Sequence, residues 1–144
     1  MLFIGSDHGG YKLKEEICRY LDSNGISFND LGIYSEESCD YPDVAEKVCK
    51  DILSHGGKGI LFCGTGIGMS IAANKYKGIR AAVAWNEFTA EMAAKHNDAN
   101  ILCLGGRVIE SILAKKLVDI FLNTSFEGGR HKTRIDKIKR IEEC

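Results

Sequence analysis

The sequence predicts a single three-layer α/β domain: a five-stranded parallel sheet covered by helices on both faces. Three observations carry this. Five short apolar runs alternate with amphipathic stretches of helical period, the order that builds strand–helix–strand units. The third run, Ile60 to Phe62, is apolar throughout, as a strand buried on both faces is. It leads into Cys63-Gly64-Thr65-Gly66-Ile67-Gly68 and then helical sequence. A glycine loop between strand and helix is where open α/β sheets bind ligands.

The elements follow in order. Leu2 to Gly5 is a short buried strand, and Ser6-Asp7-His8-Gly9-Gly10 is the loop at its carboxyl end. A helix runs to about Ser23 with Leu13, Ile17, Tyr20 and Leu21 on one face, and Asn24-Gly25 stops it. Ile26 to Leu31 is the second strand, and Gly32 to Asp40 is a polar loop. Pro42, the only proline, opens a helix whose Val44, Val48 and Ile52 recur every fourth residue up to His55-Gly56-Gly57.

After the central loop, Ile67 to Asn74 reads as a helix, and Gly78 ends the segment that follows. Ile79 to Ala84 is the fourth strand, Glu87 to Lys95 a helix closed by His96-Asn97-Asp98, and Asn100 to Leu104 the fifth strand, followed by Gly105-Gly106-Arg107. Ile109 to Leu122 is amphipathic, with Ile109, Leu113, Leu117 and Phe121 in register. Beyond Glu127-Gly128-Gly129-Arg130-His131, a final helix shows a narrow stripe of Ile135, Ile138 and Ile141. That stripe is too small to anchor well on its own domain, so the helix is expected to dock on a partner subunit. No repeat or linker divides residues 1–144, and the arrangement is Rossmann-like.

Composition removes several functions. A net charge of -1 gives no reason to expect nucleic acid or a membrane surface. No apolar run approaches the ~20 residues of a membrane span, and the N-terminus does not read as a signal peptide. The 6 cysteines form no C-x-x-C pair, which suits a reducing cytoplasm. The histidines at 8, 55, 96 and 131 lie far apart along the chain, so no metal is expected.

The glycine loop is anion-binding in character. Loop amides and a helix N-terminus favour negative charge, and the same field favours a thiolate at Cys63. A Walker A loop is excluded because no lysine lies between Lys58 and Lys75; a Cys-type phosphatase loop is excluded because Met69 stands where its arginine belongs. The dinucleotide fingerprint fails because Gly68 comes one residue early. No G-x-S-x-G elbow supports a serine hydrolase.

Further polar groups fall at strand ends: Asp7-His8 after the first, and Gly105-Gly106-Arg107 after the fifth. Asp40-Tyr41 precedes the second helix. His96-Asn97 ends a helix and therefore faces away from the strand carboxyl ends, so His96 reaches Cys63 most easily from a partner chain. Arg130 and Arg134 are four apart, one helix face apt for a phosphate.

Several blocks carry a resemblance. Ser6-Asp7-His8-Gly9-Gly10, Asp40-Tyr41-Pro42, the run from Cys63 to Lys75, Gly78-Ile79-Arg80-Ala81, His96-Asn97-Asp98-Ala99-Asn100 and Gly128-Gly129-Arg130-His131 together resemble ribose-5-phosphate isomerases of type B. The wider family includes galactose-6-phosphate isomerase subunits. The resemblance spans essentially the whole chain. It implies a metal-free, cofactor-free aldose–ketose isomerase of the pentose phosphate pathway, working as a homodimer or dimer of dimers with sites shared between subunits.

It also implies roles. Cys63 moves the proton between C2 and C1 through a cis-enediolate. His96 from the partner opens the furanose ring, with Asp7 or Asp40 nearby. Thr65 and the backbone of Gly64, Gly66, Ile67 and Gly68 hold the developing oxyanion. His8, Arg107, Arg130 and Arg134 hold the phosphate, Tyr41 packs on the sugar and Asn97 bonds a hydroxyl. Three readings stand beside it: a galactose- or allose-6-phosphate isomerase subunit, which sequence alone does not separate from the pentose enzyme; a non-catalytic nucleotide-binding module, against which the joint presence of Cys63, Thr65, His96 and the arginines argues; and a catalytically dead partner subunit, against which Cys63 argues.

Overall fold

The computed structural model describes residues 1–144. Its elements in chain order are β1 (Leu2–Ser6), α1 (Tyr11–Ser23), β2 (Asn29–Asp30), α2 (Tyr41–His55), β3 (Lys58–Cys63), α3 (Ile67–Ala73), β4 (Ala81–Val83), α4 (Glu87–Lys95), β5 (Ile101–Gly105), α5 (Ser111–Asn123) and α6 (Arg130–Ile141). The five strands form one parallel sheet in the order β2-β1-β3-β5-β4. The chain leaves β1 toward β2 on one side, then returns to build β3, β5 and β4 on the other. The order therefore reverses between β1 and β3, and a crevice opens there beyond the strand carboxyl ends.

Side-chain alternation makes both cores. Ile4, Ile60, Phe62, Leu102 and Leu104 face α1, α4 and α5, meeting Ile17, Leu21, Ala90, Leu117 and Phe121. Phe3, Leu61, Ile101 and Cys103 face α2 and α3, meeting Val44, Val48, Cys49, Ile52 and Met69. Burying strands on both faces is what lets them be apolar without a break.

The edge strands are shorter than the sequence pattern suggests. β2 is only Asn29–Asp30, although the chain keeps bonding to β1: Leu31 N–H donates to Ile4 O at 2.8 Å, and Ile33 N–H donates to Ser6 O at 3.0 Å. The turn at Gly32, with φ 102°, breaks the regular ladder. β4 is trimmed to Ala81–Val83 because side chains replace strand partners at its start. Asn74 Oδ1 accepts from Ala81 N–H at 2.8 Å while its Nδ2 donates to Ala81 O at 2.9 Å, and Asn100 Oδ1 accepts from Arg80 N–H at 2.8 Å.

Lys14 is wholly buried, which its polar surroundings in the sequence do not suggest. Its Nζ donates to both oxygens of Asp30 at 2.7 and 2.8 Å and lies 3.2 Å from Glu15. Burial acts to lower its pKa, but the hydrogen-bonded Asp30 carboxylate outweighs it and holds the amine above the ordinary lysine value.

The final helix is held to its own domain more firmly than its stripe suggests. Ile135 and His131 are buried, and the Glu142 carboxylate accepts from Gly78 N–H at 3.1 Å to both oxygens. Ile138 and Ile141 stay exposed. No helix is long and apolar enough to cross a membrane.

Candidate active site

β1 and β3 lie side by side, with Ser6 opposite Phe62, so their following loops meet. In the first loop, Asp7 is buried and its Oδ1 accepts from Gly10 N–H at 3.0 Å, which closes the turn into α1. Asp7 N–H donates to Phe62 O at 3.1 Å and ties this loop to β3. Nδ1 of His8 accepts from Cys39 N–H at 3.3 Å, so its proton sits on Nε2.

In the second loop, Cys63 is the last residue of β3 and is 4% exposed. Gly66, at φ 83°, occupies the left-handed region that an L side chain avoids, and this bends the chain back toward the thiol. Gly66 N–H donates to Cys63 Sγ at 3.1 Å, and Ile67 N–H donates to Thr65 Oγ1 at 3.2 Å. The N–H groups of Gly64, Thr65, Gly68 and Met69 donate to no group of the chain. Unsatisfied amides gathered around a sulfur make an anion-binding concavity.

Tyr41 and Arg107 close over this loop. A Cβ on Gly68 would lie 2.8 Å from the Tyr41 ring, and one on Gly64 would lie 3.0 Å from Arg107 Nη1, so both side chains lie directly on loop glycines. Arg107 N–H donates to Gly64 O at 2.9 Å, and no ion pair of the chain uses its guanidinium. A cleft of about 240 Å³ opens beside it, lined by His8, Gly9, Lys12, Glu36 and Gly106 among others. The other buried thiols have no such setting. Burial pushes Cys18 and Cys49 up to about 12, and pushes Cys103 up as well.

One chain thus gathers Asp7, His8, Tyr41, Cys63, Gly64, Thr65, Gly66, Ile67, Gly68 and Arg107. It does not bring His96, Asn97, Arg130 or Arg134 to them. α4 runs antiparallel to the strands, and His96 caps its far end, where Asn100 O accepts from Gly59 N–H at 2.8 Å near the start of β3. Asn97 lines a separate cleft of about 400 Å³ between β4 and α6. Arg130 and Arg134 are exposed on α6 and enter no ion pair.

The fold corrects one expectation. The histidines are not all apart: His131 stacks on His96 with ring centroids 4.0 Å apart and planes 12° from parallel, and Glu127 Oε2 is 3.5 Å from His96 Nε2. Ligand atoms of the three residues lie within 4.8 Å of one another. Parallel rings aim their lone pairs side by side rather than at a common point, a poor set for one tetrahedral ion. Burial first, then the neighbouring His96 and Arg130, push the His131 pKa down. Glu127 and His131 carry no sequence signal for this role, because only the folded turn before α6 brings them to His96. Trp85 and Val108, which with Ile67 line an apolar hollow of about 360 Å³ beside the Cys63 loop, were equally unmarked.

Comparison with known proteins identifies the family. The Ribose/Galactose Isomerase family model matches residues 2–138. Ribose-5-phosphate isomerase B of Escherichia coli K12 is 45% identical over 143 residues, covering 97% of this chain and 95% of that protein. The structure of ribose-5-phosphate isomerase B from Clostridium thermocellum superimposes with a TM-score of 0.96 at 52% identity, covering 99% of this chain and 97% of the other. That of the Mycoplasma genitalium enzyme with bound ribulose-5-phosphate superimposes with a TM-score of 0.94 at 45% identity, covering 99% and 95%. With a model match over nearly its full length and relatives this similar, the chain belongs to the ribose/galactose isomerase family.

Proposed function

We propose that this chain interconverts ribose 5-phosphate and ribulose 5-phosphate, with Cys63 as the carbon base. The observation that carries the mechanism is the Gly66 N–H aimed at the Cys63 sulfur, in a loop whose Gly64, Thr65, Gly68 and Met69 N–H groups bond to nothing in the chain. Those groups favour negative charge first on the sulfur and then on the substrate oxygen.

A proton passes from His96 to the ring oxygen, the bond from C1 to that oxygen breaks, and the anomeric hydroxyl becomes the C1 carbonyl as Asp7 or Asp40 takes its proton. Cys63 removes the C2 proton to give a cis-enediolate. The amides of Gly64 to Gly68, with Thr65, hold its oxyanion. The O2 hydroxyl proton passes to O1 of the enediolate, and the thiol returns its proton to C1 as C2 becomes the carbonyl. His8 and Arg107 from one subunit and Arg130 and Arg134 from the other hold the phosphate; Tyr41 packs on the sugar and Asn97 bonds a hydroxyl.

Every step uses side chains and backbone alone, with no cofactor or metal. Residues 1–144 act as one domain in a homodimer, or a dimer of dimers, in the cytoplasm. The exposed Ile67, Trp85 and Val108 around the loop, and the exposed Ile138 and Ile141 of α6, are the surfaces a second copy would cover, which supports docking of α6 on a partner. Turnover of ribose 5-phosphate, allose 6-phosphate and galactose 6-phosphate by the purified protein, measured side by side, tests the substrate. Preference for a hexose phosphate overturns the pentose assignment. Cys63→Ala should remove nearly all turnover while leaving phosphosugar binding largely intact, and near-normal turnover would refute the base assignment.

A further inference from the structure

His96 is held from two sides by residues that come much later in the chain. Its ring face lies on His131, 4.0 Å away between centroids. Its Nε2 lies 3.5 Å from Glu127 Oε2. Glu127 is itself tethered, because its N–H donates to Lys95 O at 2.9 Å, one residue before His96. His131 is buried and its Nε2 has no partner, so it serves as an uncharged wall. The charged groups around this wall are Glu127, Arg130 and Arg134, and the only carboxylate that pairs with His96 is that of Glu127.

A carboxylate facing one imidazole nitrogen keeps the proton there and leaves the other nitrogen to exchange protons. We infer that Glu127 is a positioning residue for His96, holding its Nε2–H so that Nδ1 serves the substrate. This rests on the ring-opening role proposed above for His96. The protonated imidazole gives its Nδ1 proton to the ring oxygen as the bond from C1 to that oxygen breaks. The neutral tautomer left behind carries Nε2–H toward Glu127, the form the carboxylate favours. Glu127 touches neither substrate nor reacting atoms.

The test separates ring opening from enolisation. Ribulose 5-phosphate is acyclic, so exchange of its C1 hydrogen with deuterated solvent needs Cys63 but no ring opening. Glu127→Gln keeps the side-chain shape and removes the charge. It should lower kcat on ribose 5-phosphate about tenfold, the loss expected for one charge-assisted contact. KM and the ketose exchange rate should stay within about twofold of wild type. Glu127→Asp should recover part of the loss. A kcat within about twofold of wild type, or an equal fall in both assays, overturns the inference. His96→Ala run through the same two assays tests the underlying reading on its own. If it spares ribose 5-phosphate turnover, the ring-opening role falls whatever Glu127 does; if it abolishes turnover while Glu127→Gln does not, only the role of Glu127 falls.

Discussion

Mixing two inactive variants tests whether the site is shared. In one chain, the segment after His96 meets the sheet at Gly59, whose N–H donates to Asn100 O at 2.8 Å. Cys63 ends the same strand four residues later, and a rise of ~3.3 Å per residue puts the two ends about 13 Å apart. The ring oxygen and C2 of a furanose are two bonds apart, and each catalytic group must come within ~3 Å of its atom. At that separation the proposed mechanism needs Cys63 and His96 from different chains. We predict that Cys63→Ala and His96→Ala proteins, each inactive alone, regain activity when unfolded together and refolded. Random pairing of equal amounts makes half the dimers mixed. Each mixed dimer holds one site with both defects and one with neither, so about a quarter of wild-type turnover should return. The assay is ribose 5-phosphate turnover, with mixed dimers counted by native mass spectrometry. Mixed dimers without activity would place both residues in one subunit's site or remove His96 from it, and the proposed mechanism would fail.

Three further outcomes follow from named contacts. Arg134→Ala should raise KM for phosphosugar about tenfold and weaken inhibition by inorganic phosphate, since a charge-assisted contact is worth ~1.5–3 kcal/mol; unchanged phosphate inhibition in both Arg130→Ala and Arg134→Ala would move the phosphate site elsewhere. Lys14→Met should cost about 2–4 kcal/mol in urea unfolding because it strands the Asp30 carboxylate, and Lys14→Met with Asp30→Asn should recover part of that; a single-variant loss under about 1 kcal/mol would refute the pairing argument. His131 is depressed in the fold, so below its unfolded value of 6.5 the unfolded chain binds the proton first and stability falls with pH. Wild type should therefore lose unfolding free energy relative to His131→Phe as pH drops from about 7 to about 5, and a gap constant with pH would contradict this.

What the sequence revealed depends on how local each cause is. The turn from β3 through Cys63 to α3 is built from consecutive residues, so its glycines announce it. The distance between His96 and Cys63 was equally legible, because a helix that crosses back over a parallel sheet must end at the strands' amino side. The extent of β2 was not legible. The strand expected from Ile26 to Leu31 extends over residues whose regular ladder is only Asn29–Asp30, bounded by the turn at Gly32. The burial of Lys14 depends on Asp30, and the stacking of His96 depends on His131; neither pairing leaves a periodic trace. The final helix looked weakly anchored because the contact from Glu142 to Gly78 N–H is polar and invisible to a hydrophobic stripe.

The Asn74 carboxamide on Ala81 also guards one border of the sheet. β4 is one of the two outer strands of the sheet, and an outer strand offers free N–H and C=O groups on which another chain can pair. Here both backbone groups of Ala81 are already bonded to one side chain, within a strand only three residues long. This stretch of the β4 border is closed to an added strand, and strand addition is the mode of association that has no natural end. Asn74→Ala would reopen that border, giving concentrated protein a route to fibrous aggregation that the native edge denies it.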